Sequence, residues 1–358
     1  MGGSLVVQTG YLGDLILTLP LVRALHDRSA GDPVALLVRG GFADLARSQG
    51  YVGEVLELDK TTSGWARIRE DLRAMRALRR RRFATVYAAH RSVRSRWLVR
   101  STGAANRIGF KGRSAGWAYT ESIRFNDRHH AVERFLALAG LQGSATKGSS
   151  WFDAPPDASE QARDLLHRSN VALTHPYAVI APGTVWPTKR WSERGFSELV
   201  DRITKGGLQT LLVGNEAEAG LTARVAAGAT SSSASVINLA GKTDLLQLAA
   251  ILKGAAYAVG NDSGVGHLAA AVGTPVVTIF GPTATEHGFT PWSIAREVAE
   301  LDALECRPCS RHGSTNCPLG HHDCMKRLGA DEVYAAVNRL NLSPGRLEGP
   351  LPESSLIE

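Results

Sequence analysis

The sequence predicts an α/β protein made of two doubly wound halves. Three observations point there. Short apolar runs suited to buried parallel strands alternate with helix-period segments. The alternation restarts after a Gly-, Ser- and Pro-rich stretch at 142–156. The length of 358 residues suits two domains of ordinary size.

In the first half, residues 5–9 read as a strand and 10–14 as a loop. A helix follows over 15–28, with Leu15, Leu19, Val22 and Leu25 on one side and Pro20 predicting an early kink. Residues 34–38, 55–58 and 85–89 read as parallel strands, with a helix over 65–78 between the last two. Segment 101–130 is less regular, rich in Gly, Arg and aromatics, and a helix covers 130–141. In the second half, strands fall at 177–181, 210–213, 236–239, 255–259 and 276–280. Helices at 158–167, 192–204, 218–227, 245–252 and 331–340 separate or flank them. The expected domains are 1–156 and 157–342, followed by a loose tail over 343–358.

Hydrophobic residues make up 44% of the chain and charged residues 21%, which excludes a disordered protein. No run of about 18 apolar residues is present. The chain enters its first strand without a basic-then-apolar leader, which predicts a cytoplasmic protein. The net charge is +7, and the excess is local: between Arg67 and Arg113 there are fifteen Lys or Arg and only two acids, Glu70 and Asp71. Such a run is usually a solvated face. It also attracts anionic partners, and with no helix-turn-helix, zinc-finger spacing or interleaved aromatics a membrane surface is preferred to nucleic acid.

The stretch 257–283 is the chemical centre. It reads as strand, tight polar loop, short helix, strand and loop. Asp262 or Ser263 is placed to cap the helix. Free N–H groups of Ser263, Gly264 and Val265 at a helix start make an anion site shaped for a diphosphate. The plain alternative is an ordinary strand-to-helix turn, with His267 a core histidine.

Asp14 opens the first helix in Gly-Asp-Leu-Ile-Leu-Thr-Leu-Pro. It is a helix cap, or a general base that removes a proton from an acceptor hydroxyl, or both. In Ala181-Pro-Gly-Thr-Val-Trp-Pro-Thr-Lys-Arg-Trp191, Lys189 is a flexible cation for a leaving diphosphate and Thr184 offers a hydroxyl. The alternative is a surface lysine, and Trp191 reads as core. Glu216, after a strand, suits ribose hydroxyls or is an exposed loop acid, with Glu218 as its rival. Arg91, Arg94 and Arg96 follow a strand and are acceptor candidates by position alone. Cys306, Cys309, Cys317 and Cys324 fall within nineteen residues, so they are candidate structural zinc ligands or free thiols. No Asp-x-Asp motif falls in a donor loop, so no cofactor or divalent ion is expected to be required.

Together these strings resemble glycosyltransferase family 9, the ADP-heptose:lipopolysaccharide heptosyltransferases. The shared elements are Gly-Asp-x-x-x-Thr-x-Pro, Pro-Gly-Thr…Lys-Arg-Trp, Asp-Ser-Gly-x-x-His-Leu-x-Ala-Ala, the Gly-Thr-Pro turn and Phe-Gly-Pro-Thr. They occur in order from Leu5 to about Leu340. The resemblance implies a GT-B fold, two Rossmann-like domains facing across a cleft, with acceptor on the first and ADP-heptose on the second. It implies inverting transfer of L-glycero-D-manno-heptose to the lipopolysaccharide inner core at the cytoplasmic face of the inner membrane. Asp14 then becomes the base. Lys189 and Thr184 face donor phosphate, Glu216 the nucleoside, and Asp262, Ser263, Gly264, Val265 and His267 the rest of the donor site. The Cys-Pro-Leu-Gly-His-His string at 317–322 resembles the branch that adds the second heptose, whose acceptor is heptosyl-Kdo-lipid A. Two other readings stand beside this one: a sugar-nucleotide epimerase of the same architecture, and a non-catalytic envelope-surface scaffold. A dehydrogenase is disfavoured because Gly10-x-x-Gly13, not Gly-x-Gly-x-x-Gly, follows the first strand.

Overall fold

The computed structural model describes residues 3–112, 115–144, 150–231, 235–293, 295–301, 304–340 and 342. The tail expected at 343–358 lies outside them. The chain forms two compact units, Met1–Thr146 and Lys147–Glu358. Trp151 and Phe152 are held by the second unit, their N–H groups donating to Ala271 O at 3.0 and 3.2 Å. That unit thus takes in residues 150–156, which composition alone places with the first.

The first unit runs β1 (Ser4–Gln8), α1 (Leu12–Arg28), β2 (Val34–Arg39), α2 (Ala43–Arg47), β3 (Val52–Leu58), α3 (Gly64–Arg80), β4 (Thr85–Ala88), α4 (Val93–Ser101), β5 (Asn106–Phe110), β6 (Glu121–Ile123) and α5 (Ala131–Ala137). Its parallel sheet has the order β3-β2-β1-β4-β5-β6. The second unit runs α6 (Pro156–Arg168), β7 (Tyr177–Ala181), α7 (Glu193–Lys205), β8 (Gln209–Leu212), α8 (Ala219–Gly228), β9 (Val236–Asn238), α9 (Leu245–Lys253), β10 (Tyr257–Asn261), α10 (Gly264–Ala271), β11 (Val276–Ile279), β12 (Arg296–Ala299), α11 (Asp323–Lys326) and α12 (Ala330–Arg339). Its sheet, β12-β11-β10-β7-β8-β9, is again parallel. Counted from each unit's first strand, both sheets follow the 3-2-1-4-5-6 order of a dinucleotide-type Rossmann fold.

Burial explains which strands are visible in the sequence. β7, β8, β10 and β11 are buried along their whole length, and each carries a run of apolar residues; the polar ones among them, Gln209, Thr210, Asn261 and Thr278, are buried too. β6 and β12 are edge strands with one neighbour each, and their charged sequences, Glu-Ser-Ile and Arg-Glu-Val-Ala, follow from that position. α1 is one continuous helix through the buried Pro20. It is buried from Leu15 to Val22 because it packs against both the sheet and α5.

Trp191 is a core residue. It is 1% exposed, packs edge-on to Phe196 at 4.9 Å between centroids, and donates Nε1 to Leu328 O at 2.9 Å. Trp191→Ala is expected to cost about 3–5 kcal/mol, read as a lowered urea midpoint for the second unit.

Candidate active site

β7 and β10 lie side by side, and the chain leaves them in opposite directions, to β8 and to β11. Their carboxyl ends therefore open a crevice where ligands bind in open α/β sheets. Asn261, the last residue of β10, spans it. Its Nδ2 donates to Pro182 O at 2.7 Å and its Oδ1 accepts from Trp191 N at 2.9 Å. One buried amide thus fixes both ends of loop 182–191.

Lys189 sits in a 3₁₀ turn, Pro187–Lys189, within that loop. Its Nζ donates to Asp262 Oδ2 at 2.6 Å, and Thr283 Oγ1 donates to the same oxygen at 2.9 Å. The Lys189 and Asp262 side chains are only 12% and 9% exposed. The loops after β7, β10 and β11 therefore meet at one carboxylate oxygen.

α10 starts two residues later. Neither sequence candidate caps it: Asp262 is occupied by Lys189 and Thr283, and Ser263 at the cap position makes no side-chain cap bond. Ser263 Oγ and His267 Nδ1 are buried without a partner among the described residues. Buried polar atoms left unpaired are costly, and these two lie beside the start of α10. Burial pushes the His267 imidazole down to about 4, with Lys189 adding to the effect and Asp262 opposing it. His267 is therefore neutral at pH 7.

Thr184 is buried in the turn after β7. Glu216 is exposed on the 3₁₀ turn Glu216–Glu218. Glu218 instead forms a capping box with Asn215, accepting from its N at 3.0 Å. The Glu218 carboxylate also lies against Gly183, where an added Cβ would stand 2.0 Å from Oε1. Glu218, not Glu216, is the acid that abuts the Pro-Gly-Thr turn.

The cysteine-bearing segment packs on these loops. Thr188 and Ser314 exchange two bonds, Thr188 Oγ1 donating to Ser314 O and accepting from Ser314 N, each at 2.8 Å. His322 Nε2 lies 2.7 Å from Thr188 O, and Cys309 N donates to Pro282 O at 3.0 Å. Burial pushes the Cys324 thiol up to about 11. Among the described residues no group of three or more His, Cys, Asp or Glu is placed to hold a metal ion.

In the first unit the matching crevice lies between β1 and β4. Asp14 is the third residue of α1 and accepts from Tyr11 N at 3.0 Å through Oδ2. Gly10 is required beneath it, since a Cβ there would stand 2.4 Å from that oxygen. Gln8 holds the loop from below, accepting from Gly10 N at 3.0 Å and donating to Thr18 Oγ1 at 2.9 Å. Lys60 Nζ donates to Thr9 O, and its charge is felt by both Asp14 and His90. His90 Nδ1 lies 3.0 Å from Thr9 Oγ1 and 2.9 Å from Ser95 Oγ. Burial pushes His90 down to about 4, and Lys60 adds to it.

The sequence matches the family model described as "Glycosyltransferase family 9 (heptosyltransferase)" over residues 72–319, more than half of the chain. The chain belongs to glycosyltransferase family 9. It is 28% identical to lipopolysaccharide heptosyltransferase 1 of Pseudomonas aeruginosa over 96% of its own length and 99% of that protein's. It is 26% identical to lipopolysaccharide heptosyltransferase 2 of Escherichia coli K12, covering 94% and 98%. The structure of E. coli ADP-heptose lps heptosyltransferase II superposes with a TM-score of 0.76 at 22% identity, covering 94% and 97%, and so shares the paired Rossmann-like GT-B fold. This protein is accordingly a glycosyltransferase.

Within this family 9 enzyme, the structure brings Lys189, Asp262, Ser263, Gly264, Val265 and His267 together at the β7/β10 crevice, with Thr184 in the turn above β7. Sequence reasoning missed Asn261 and Thr283, which position the rest, and Thr9, Lys60 and His90 beside Asp14. Their common signal is position: Asn261 ends a parallel strand, and each of the others follows one by no more than four residues. Arg94 is tied to Asp71 at 2.6 Å and Arg91 stacks 3.9 Å over Phe125, so both have structural partners.

Asn261→Leu leaves Pro182 O and Trp191 N unpaired and is expected to cost about 2–4 kcal/mol in urea unfolding. For His90 and His267, the folded value lies below the unfolded one of about 6.5. The unfolded chain therefore binds more protons between about 6.5 and 4, and stability is full above that window and lost as pH falls through it. Urea midpoints at pH 7.5 and 5 test this, and His267→Gln should flatten the dependence by up to about 1.4 kcal/mol per pH unit.

Proposed function

We propose that this enzyme moves L-glycero-D-manno-heptose from ADP-heptose to the lipopolysaccharide inner core with inversion, adding the second heptose to heptosyl-Kdo-lipid A. The relatives that span nearly the whole chain carry lipopolysaccharide heptosyltransferase names. The observation that carries the donor assignment is the Lys189–Asp262–Thr283 cluster beside a helix start with two orphaned polar atoms. The 317–322 string supports the second-heptose step. The first unit is proposed as the acceptor domain and the second as the nucleotide-sugar domain. The enzyme would work at the cytoplasmic face of the inner membrane, held there through its basic face; among the described residues no helix is long and apolar enough to cross a membrane.

The proposed chemistry follows from what each group can do. The Asp14 carboxylate takes the proton of the acceptor hydroxyl as the oxygen attacks the anomeric carbon. The bond to ADP breaks on the opposite face. Lys189 and the N–H groups at 263–265 take up the charge growing on the diphosphate, which is the positive charge a divalent ion would otherwise supply. Among the described residues both side-chain bonds of Asp262 fall on Oδ2, leaving Oδ1 to accept sugar hydroxyls. Thr184 and either Glu216 or Glu218 complete the donor contacts, with Glu218 favoured by its place against Gly183.

ADP release from ADP-heptose is expected only with a heptose-bearing Kdo-lipid A acceptor. Release with the heptose-free acceptor would move the enzyme to the first step. Conversion of the sugar nucleotide without acceptor would make it an epimerase. Asp14→Ala is expected to lower kcat by about 10²–10⁴ while ADP-heptose still binds; unchanged turnover would remove Asp14 from the base role. Lys189→Met is expected to weaken donor binding and kcat together, and to destabilise the fold by leaving Asp262 unpaired.

A further inference from the structure

The exposed apolar side chains of this protein are concentrated on one region. Of the nine large hydrophobic residues that are exposed among those described, Trp65, Ile68, Leu72, Val93, Trp97 and Trp117 fall between 65 and 117. Trp65 is 80% exposed and sits in the first turn of α3. Ile68 and Leu72 follow at i+3 and i+7, so the three form one stripe along the helix. Arg69, Arg73 and Arg76 are exposed beside it.

The same helix hides its only two acids. Asp71 is 22% exposed and paired to Arg94 of α4 at 2.6 Å. Glu70 is half-buried, with Oε1 3.5 Å from Asp59 N. Leu78 is buried, and Ala74 and Met75 pack on the core. The outward face therefore carries tryptophan, isoleucine, leucine and arginine, and no carboxylate. A solvated helix face explains the arginines but not an apolar stripe running between them.

α4 continues the surface. It packs on α3 and is fastened to it by the Asp71–Arg94 pair. Val93 and Trp97 are exposed at its start, and Trp97 lies 4.7 Å from Trp117 between ring centroids. At the far end of α3, an open groove of about 520 Å³ is lined by Arg79, Arg80 and Arg82 with Phe83, Thr102 and Gly103.

We propose that the outward face of α3, with the adjoining start of α4, docks on an anionic lipid surface, the Trp65–Ile68–Leu72 stripe entering the headgroup boundary and the arginines pairing with lipid phosphates. An amphipathic surface of aromatic and aliphatic residues flanked by arginine is the chemistry such an interface selects. Its placement fits this use. α3 and α4 leave the carboxyl ends of β3 and β4, the same sheet edge at which Asp14 opens α1. Lys60, five residues before Trp65, is bonded to the end of β1 through Thr9 O. A lipid-anchored acceptor keeps its chains in the bilayer while its sugar reaches that edge. This deepens the basic-face reading above and rests on its lipid-linked acceptor only for purpose, not for the binding itself.

The test is vesicle flotation of the full chain on phosphatidylcholine with and without phosphatidylglycerol. The wild type is expected to bind the anionic vesicles preferentially. The triple variant Trp65→Gln, Ile68→Gln, Leu72→Gln, all on the exposed face, should bind them at least about tenfold more weakly. Arg69→Gln, Arg73→Gln, Arg76→Gln should erase the preference for anionic lipid. Both variants should release ADP at the wild-type rate with a deacylated, water-soluble acceptor and more slowly with the vesicle-borne one. Equal flotation of the first variant and the wild type would overturn the proposal, as would wild-type binding that ignores lipid charge or is captured by RNA in competition. Vesicle binding as expected, with no ADP release from any acceptor, would leave the docking face standing and sink the proposed reaction instead.

Discussion

The second unit is organised around one oxygen. Asp262 Oδ2 accepts from Lys189 and from Thr283, so the loops after three neighbouring strands are tied at a single buried point. A buried ion pair contributes little net stability, because desolvation offsets the attraction. What it contributes here is position. With its partner fixed, Lys189 cannot swing away as an exposed lysine would, and its charge stays at the mouth of the β7/β10 crevice. Asn261 does the same for the backbone of the loop that carries Lys189.

That constraint explains the cysteine-rich segment. It holds the outside of the crevice loops, through Thr188 and Ser314, His322 and Thr188 O, and Cys309 and Pro282 O. Arg307 adds a further clasp, donating to Gly281 O and pairing with Glu300. Short motifs around 184–189 and 281–283 would be loose without this outer layer, and a loose site loses the preorganisation that charge stabilisation needs.

The two units share a strand order but place different residues at its crevice. In each, the crevice opens where the chain reverses direction beside the first strand. In the first unit that place holds a carboxylate at a helix start, with a lysine and a neutral histidine behind it. In the second it holds a cation, a helix start and a neutral histidine within the helix. That difference is what the proposed roles, a base in one and a leaving anion in the other, draw on.

Much of this was legible in the sequence. Strands buried on both faces are mostly apolar, so β7, β8, β10 and β11 announce themselves by their apolar runs, and the fold class follows from their alternation with helices. Asp14, Lys189 and the 262–267 loop carry residue types whose chemistry shows locally. The edge strands β6 and β12 were hidden because their short sequences, Glu-Ser-Ile and Arg-Glu-Val-Ala, hold no apolar run, whereas the edges β3 and β9 keep one. The partners of the site were hidden for another reason. Asn261, Thr283, Lys60 and His90 are ordinary polar residues after ordinary strands, and their roles depend on which strands lie side by side. That adjacency is set by parallel pairing between segments far apart in the chain, such as β7 with β10. Only the tertiary structure could decide that Asp262 pairs with Lys189 and does not cap its own helix, because the competing donors come from loops 73 and 21 residues away.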